Sequence, residues 1–138
     1  MHTLERFLQA QEGVYEMALG EIRAGLKQRH WIWFIFPQLR GLGYSPMAVT
    51  YGLQDLAEAK SYLAHPVLSQ RLIEITEALL AHKNKPIEAI LGELDAKKLC
   101  SCMTLFSQLS PEGSVFHQAL AAFYKGRPDR HTLVLLKQ

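Results

Sequence analysis

The residue types best able to do chemistry together lie in one run, Leu94-Asp95-Ala96-Lys97-Lys98-Leu99-Cys100-Ser101-Cys102-Met103-Thr104-Leu105-Phe106. On a helix, Asp95, Lys98, Ser101 (or Cys102) and Leu105 follow one another three or four positions apart along one stripe, and Thr104 neighbours Ser101 across a turn. A carboxylate, an ammonium and two hydroxyls so spaced can orient a sugar or phosphate and activate a water. The same spacing has a purely structural explanation. Asp95 can complement the positive end of a helix, Lys98 can pair with it at the surface, and the hydroxyls can bond back to the helix. Spacing alone leaves both open.

A second chemistry-bearing stretch is His30-Trp31-Ile32-Trp33-Phe34-Ile35-Phe36-Pro37-Gln38, continued by Leu39-Arg40-Gly41-Leu42-Gly43-Tyr44-Ser45. The apolar residues from Trp31 to Phe36 are too few to span a bilayer and too aromatic for a surface loop. They show no helical or alternating polar face, so they must be covered on all sides, and the run reads as extended or irregular. Pro37 has no N–H and ends any ladder. Gln38, Arg40, two glycines and Ser45 follow at once. A buried wall opening into a polar turn is how many ligand pockets are built. The alternative is a hydrophobic plug with a turn after it. Lys27, Arg29 and His30 frame the start of this run. Cations there can clamp an anion or neutralise the carbonyl end of a preceding helix. A third polar cluster, Gly126, Arg127, Asp129, Arg130 and Thr132, is accounted for by helix capping but would also suit a phosphate.

The familiar signatures are missing: no Walker loop, no Gly-x-Gly-x-x-Gly, no His-Glu-x-x-His and no nucleophile elbow. The six histidines are scattered without metal-ligand spacing and read as surface or capping residues, except His30 beside the aromatic run. No metal or cofactor is expected. Cys100 and Cys102 are two apart, which would strain a disulfide between them, and they read as reduced packing residues of a cytoplasmic protein.

These segments must be positioned by helices, because helix-forming patterns dominate and strand alternation is nearly absent. Thr3 is placed to cap a first short helix carrying Leu4, Phe7 and Leu8. Val14, Met17, Ala18, Ile22 and Leu26 repeat at helical spacing after a break at Gly13, with an end expected at Gly25. Ser45-Pro46 predicts a cap with proline in the first turn, and Asp55 the next cap. His65-Pro66 breaks that helix, and Pro66 opens a long one to Ala81. Pro86 starts a short helix ending at Gly92. Leu94–Leu109 is amphipathic, Ser114 caps 115–124, and Asp129 caps a last short helix. The expected fold is all-α: a compact multi-helical single domain over residues 1–138 with one irregular aromatic segment.

At 138 residues, with 49% hydrophobic and 20% charged residues, the chain can build a real core. Its net charge of +2 argues against a dedicated nucleic-acid binder, which needs a strong basic stripe, but leaves room for a nucleotide-sized site. The first residues have acids and glutamines where a signal peptide needs an apolar core, and no window suits a membrane helix.

Several of these residues recur in an order that resembles a known family. Tyr15, Ala18, Glu21-Ile22, Gly25, Lys27, His30-Trp31, Trp33-Phe34, Phe36-Pro37-Gln38, Gly41-Leu42-Gly43 and Ser45 form its first part. His65-Pro66, Leu68 and Arg71-Leu72 follow, then Asp95, Lys98-Leu99, Ser101 and Met103 to Phe106, and finally Gly126, Asp129, Thr132 and Leu135. This order resembles a bacterial domain of unknown function whose members often carry the label "calpastatin". The resemblance covers essentially the whole chain and implies an all-helical single domain without an established activity. The label conflicts with the composition, since a calpastatin-type inhibitor is a disordered chain and this one is rich in core residues. Ser69 stands where such members usually have glycine, which argues against a tight backbone contact there. The order of an aromatic and glutamine segment, a helical hairpin and an acidic helix start is also similar to the NADAR group, helical proteins acting on ADP-ribose-linked compounds.

Taken with this resemblance, the polar residues of the matching segments exceed what a helical core needs. The expectation is a small cytoplasmic enzyme or nucleotide-ligand module that hydrolyses an N-glycosidic bond of an ADP-ribose-like or NAD-like compound. Asp95 would be the base or the stabiliser of an oxocarbenium ion, with Lys98 and His30 beside it. Lys27, Lys98 and Arg71 would hold phosphates. Trp31, Trp33 and Phe36 would line a base pocket, and Gln38, Ser45, Ser101 and Thr104 would complete the ligand contacts. The alternative is a non-catalytic protein-interaction domain whose polar residues are structural.

Overall fold

Local capping chemistry divides the chain into ten helices among the residues described by the computed structural model, 3–137. They are α1 (Glu5–Gln11), α2 (Tyr15–Arg23), α3 (Ile32–Ile35), α4 (Pro46–Tyr51), α5 (Leu56–Ala64), α6 (Pro66–Leu80), α7 (Ile87–Leu91), α8 (Glu93–Ser107), α9 (Val115–Tyr124) and α10 (Arg130–Leu136). Side chains of Ser45, Asp55, Ser114 and Asp129 each accept a hydrogen bond from a backbone N–H of the first turn, as their types predict. At α6 the cap is His65, whose Nδ1 accepts from the N–H groups of Val67 and Leu68 at 3.2 and 3.3 Å. Three starts differ from the sequence reading. Leu4, not Thr3, occupies the cap position of α1 and makes no side-chain cap bond. Pro86 precedes α7 instead of lying in its first turn. α8 begins at Glu93, directly after Gly92, whose φ of +86° turns the chain out of α7.

Within the aromatic run, expected to be extended or irregular, Ile32–Ile35 form one helical turn, and the residues on either side are irregular. α3 is a single turn, closed by Ile35 N–H to Trp31 C=O at 3.2 Å and Phe36 N–H to Ile32 C=O at 3.0 Å. A helical turn satisfies backbone groups within the segment, so it can be surrounded by other helices without a partner strand. Trp31, Ile32, Phe34, Ile35 and Phe36 are buried in the core, and Trp33 is half-buried.

The fold is all-α and its core is continuous. α8 is its axis, packed against α9, α7, α10, α3 and α5, while α6 packs on α2 and α9. Leu99, Cys102, Met103 and Phe106 give α8 its buried face. Outside the helices, Leu39 and Leu53 pair in parallel: Arg40 N–H donates to Leu53 C=O and Leu53 N–H to Gln38 C=O, both at 2.9 Å. This clasp fixes the turn that follows the aromatic run. Gly52 makes it possible, because a Cβ there would lie 2.7 Å from Ala48 C=O and 2.8 Å from Arg40 Cα. Among the described residues, no helix is long and apolar enough to cross a membrane.

Candidate ligand-binding site

The two chemistry-bearing stretches meet at Asp95. Beyond α2, Lys27 N–H donates to Ile90 C=O at 2.8 Å, which ties the approach to the aromatic run onto α7, next to the start of α8. The Lys27 side chain is only 6% exposed. Its ammonium lies 2.7 Å from Asp95 Oδ2, 5.0 Å from the centre of the Trp31 ring and 2.5 Å from Arg29 C=O. The other oxygen of Asp95 accepts from Lys98 at 3.3 Å, and Lys98 in turn lies 5.4 Å over the ring of Trp33. Each ammonium therefore lies between an aromatic face and one shared carboxylate, an arrangement that compensates its partial desolvation.

Glu21 anchors the same approach from α2. Its Oε1 accepts the indole N–H of Trp31 at 2.9 Å and the backbone N–H groups of Gln28 and Arg29, and its Oε2 meets the Arg29 guanidinium at 2.8 Å. Burial alone would raise its pKa. The N–H donors of Gln28, Trp31 and Arg29 outweigh that and bring it down to about 2.

On the solvent side of Lys98 lies a cavity of about 410 Å³. Gln38 and Ser45 reach it from the turn after the aromatic run, Lys97, Lys98 and Ser101 from α8, and Asp129 and His131 from the start of α10. Tyr44 stands at its rim, 87% exposed. Leu42, Ala48 and Leu94 supply apolar parts of the wall between these donors and hydroxyls. Asp129, its carboxylate, already accepts from Thr132 N–H at 2.9 Å and Thr132 Oγ at 2.6 Å through one oxygen.

The expected site residues therefore fall into separate places. Gln38, Ser45, Lys98 and Ser101 share this cavity. Lys27 and Asp95 lie behind it, paired with each other. Trp31 and Phe36 are core residues, their rings 6.2 Å apart, and the crevice along Trp33, Phe36 and Lys98 has no room for a water. His30 is exposed and does not line the cavity. Arg71 belongs to another network: it donates to Gln11 Oε1 at 3.2 Å and lies over the ring of Tyr15. Thr104 is fully buried, and its hydroxyl accepts the N–H of Asp129 at 2.7 Å, docking the segment before α10 onto α8.

A model of a family described as "Protein of unknown function (DUF1810)" matches residues 1–136. The chain belongs to the DUF1810 family. Its structure is similar to that of another protein, the conserved hypothetical protein Rv1873 from Mycobacterium tuberculosis, known from a crystal structure at 1.38 Å. The two share 47% identity with a TM-score of 0.95, over 98% of this chain and 96% of the other. No curated protein matches the sequence.

Sequence reasoning missed four contributors to this DUF1810 site: Lys97, Tyr44, His131 and Glu21. Lys97 could have been found, because a helix carrying Lys98 and Ser101 on one stripe must carry Lys97 at its edge. Glu21 carried no such signal. Its partners lie in the following loop and in an indole, and only the fold turns them toward it.

Proposed function

We propose that this DUF1810 protein binds a phosphorylated, nucleotide-like small molecule in the cavity between the turn 38–45, α8 and α10. The observation that carries this reading is the convergence of Gln38 and Ser45 with Lys98 and Ser101 on one concave surface. Lys97 and Lys98 favour an anion there, and the amide, imidazole and hydroxyls suit the hydroxyls of a sugar. Asp95 acts through Lys98. Both of its oxygens engage ammonium groups, so it positions a phosphate-binding cation and is not free to take a proton from water. The geometry thus supports a binding module over a hydrolase of N-glycosidic bonds. The resemblance to the NADAR group read from the order of segments points to the same ligand class. The free cysteines, one half-buried and one buried, fit a cytoplasmic setting.

The test is a thermal-shift and calorimetric comparison of AMP, ADP, ADP-ribose, NAD and ribose 5-phosphate. At least one phosphorylated ligand should stabilise the fold, by about 2.7 kcal/mol at a hundredfold excess over its Kd. Lys98→Ala should weaken that binding about tenfold, or about 1.4 kcal/mol. Release of free base during the incubation would restore the hydrolytic reading. Absence of any shift would overturn the proposal.

A further inference from the structure

A second cavity, about 630 Å³, lies on the adjoining face of α8. At about 100° per residue, Glu93, Ala96, Lys97 and Cys100 occupy one face of that helix, and Leu94, Lys98 and Ser101 the next. Lys97 is on the border. It lines both cavities, and so does Asp129, which faces it from the segment before α10. The two spaces therefore adjoin along one ridge.

The chemistry changes along this double space. Cations line both spaces: Lys98 stands on the side of the smaller cavity, Arg127 and Arg130 on the side of the larger, and Lys97 between them. Among the charged residues of the larger cavity, Ala96, Cys100 and Tyr124 supply an apolar floor. The polar tips in that floor are already engaged. The Tyr124 hydroxyl donates to Ala96 C=O at 2.5 Å, and Cys100 Sγ lies 3.8 Å from Arg127 C=O. Burial, reinforced by the Asp129 carboxylate, raises the Cys100 thiol to about 11, so it presents a neutral surface. Glu88 and Glu93 supply acceptors from α7 and the start of α8.

We infer that the ligand is bipartite: a pyrophosphate-type bridge over Lys97, a sugar-bearing half in the smaller cavity, and a planar, amino-bearing base in the larger. This rests on the binding reading above, which it extends from one cavity to two. The cations of the two spaces meet the diphosphate. The apolar floor takes the face of the base, and Glu88 or Glu93 accepts from its exocyclic amino group. A mononucleotide fills only one half, so joining the halves adds binding without a second loss of translational freedom.

Calorimetry with the intact chain distinguishes the possibilities, using ADP-ribose as the two-part ligand and ribose 5-phosphate as the half. ADP-ribose should bind one per chain and at least about tenfold more tightly than ribose 5-phosphate. The double variant Arg127→Ala/Arg130→Ala changes two exposed residues, and a circular dichroism melt checks that it stays folded. In it the ratio of the two affinities should fall toward one. Equal affinities in the parent protein, or an unchanged ratio in the variant, would overturn the bipartite reading while leaving the single-cavity one standing. Binding of neither compound would overturn the bipartite reading, and the single-cavity one with it when AMP, ADP and NAD also fail to bind.

Discussion

Lys27 carries an ammonium into the protein, 6% exposed, and Asp95 is what meets it. Removing the carboxylate alone leaves a desolvated charge with only the Arg29 carbonyl and the Trp31 face. Asp95→Ala should therefore lower stability by about 3 kcal/mol, read from the urea midpoint. The pair Lys27→Met/Asp95→Leu removes both charges and should recover most of that loss, because well-packed apolar replacements of a buried pair are close to neutral. A full loss persisting in the double variant would show that packing, not charge, is at stake. Glu21 carries the pH dependence of this region. Its folded pKa of about 2 lies below the ordinary 4.5, so its ionised form stabilises the fold above pH 4.5. That contribution is lost as pH falls from 4.5 toward 2, while Glu21→Gln should flatten the stability profile in that window and cost about 2 kcal/mol at neutral pH.

Elements of this fold are held by few, identifiable groups. α6 starts on an imidazole lone pair instead of the usual hydroxyl or carboxylate, and Ser69, whose hydroxyl donates to His65 C=O at 2.7 Å, braces the same turn. His65→Ala should cost about 1 kcal/mol, and His65→Asp, which can accept the same two N–H groups, should restore it in a thermal melt. In α3 the burial of the Trp31 indole predicts about 3–5 kcal/mol for Trp31→Ala. Trp33, half-buried beneath Lys98, should cost less, and acrylamide should quench it more readily than Trp31 in single-tryptophan variants. The clasp between residues 38–40 and 53 depends on Gly52. A methyl group there meets backbone on two sides, so Gly52→Ala should loosen the turn bearing Gln38 and Ser45 and weaken ligand binding more than it lowers the melting temperature.

At the scale of the molecule, α8 is the organising object. One face is core, the edge carrying Asp95 meets Lys27, and the two solvent-side faces form the walls of the two cavities. A ligand held across those faces touches α8, α10 and the turn 38–45 at once. Binding should therefore protect amides of all three segments from hydrogen exchange together, whereas protection confined to one of them would mean that the surfaces act separately. With a net charge of only +2, the proposed anion binding would rest on local cations, not on an overall field. Affinity for a phosphorylated ligand should fall with added salt through those groups.

Helix content was legible in the sequence because it is set locally. Caps at Ser45, Asp55, Ser114 and Asp129, prolines at 46 and 66, and apolar spacing near 3.6 act within a few residues and leave their mark there. The sequence also marked Gln38, Ser45, Lys98 and Ser101 as polar groups beside apolar stretches, and these four share a cavity. It read the aromatic run as extended or irregular and missed the helical turn at Ile32–Ile35. Periodicity carries no information in a segment that is apolar on every side, and only its neighbours decide that one helical turn can be buried there. Nor could spacing separate Arg71 and Thr104 from the cavity residues. An arginine serving Gln11 from sixty residues away and a threonine docking Asp129 look, in sequence, like ligand contacts. Which polar side chains face solvent and which close a distant backbone bond depends on the directions in which packed helices point them, and the tertiary structure alone decides that.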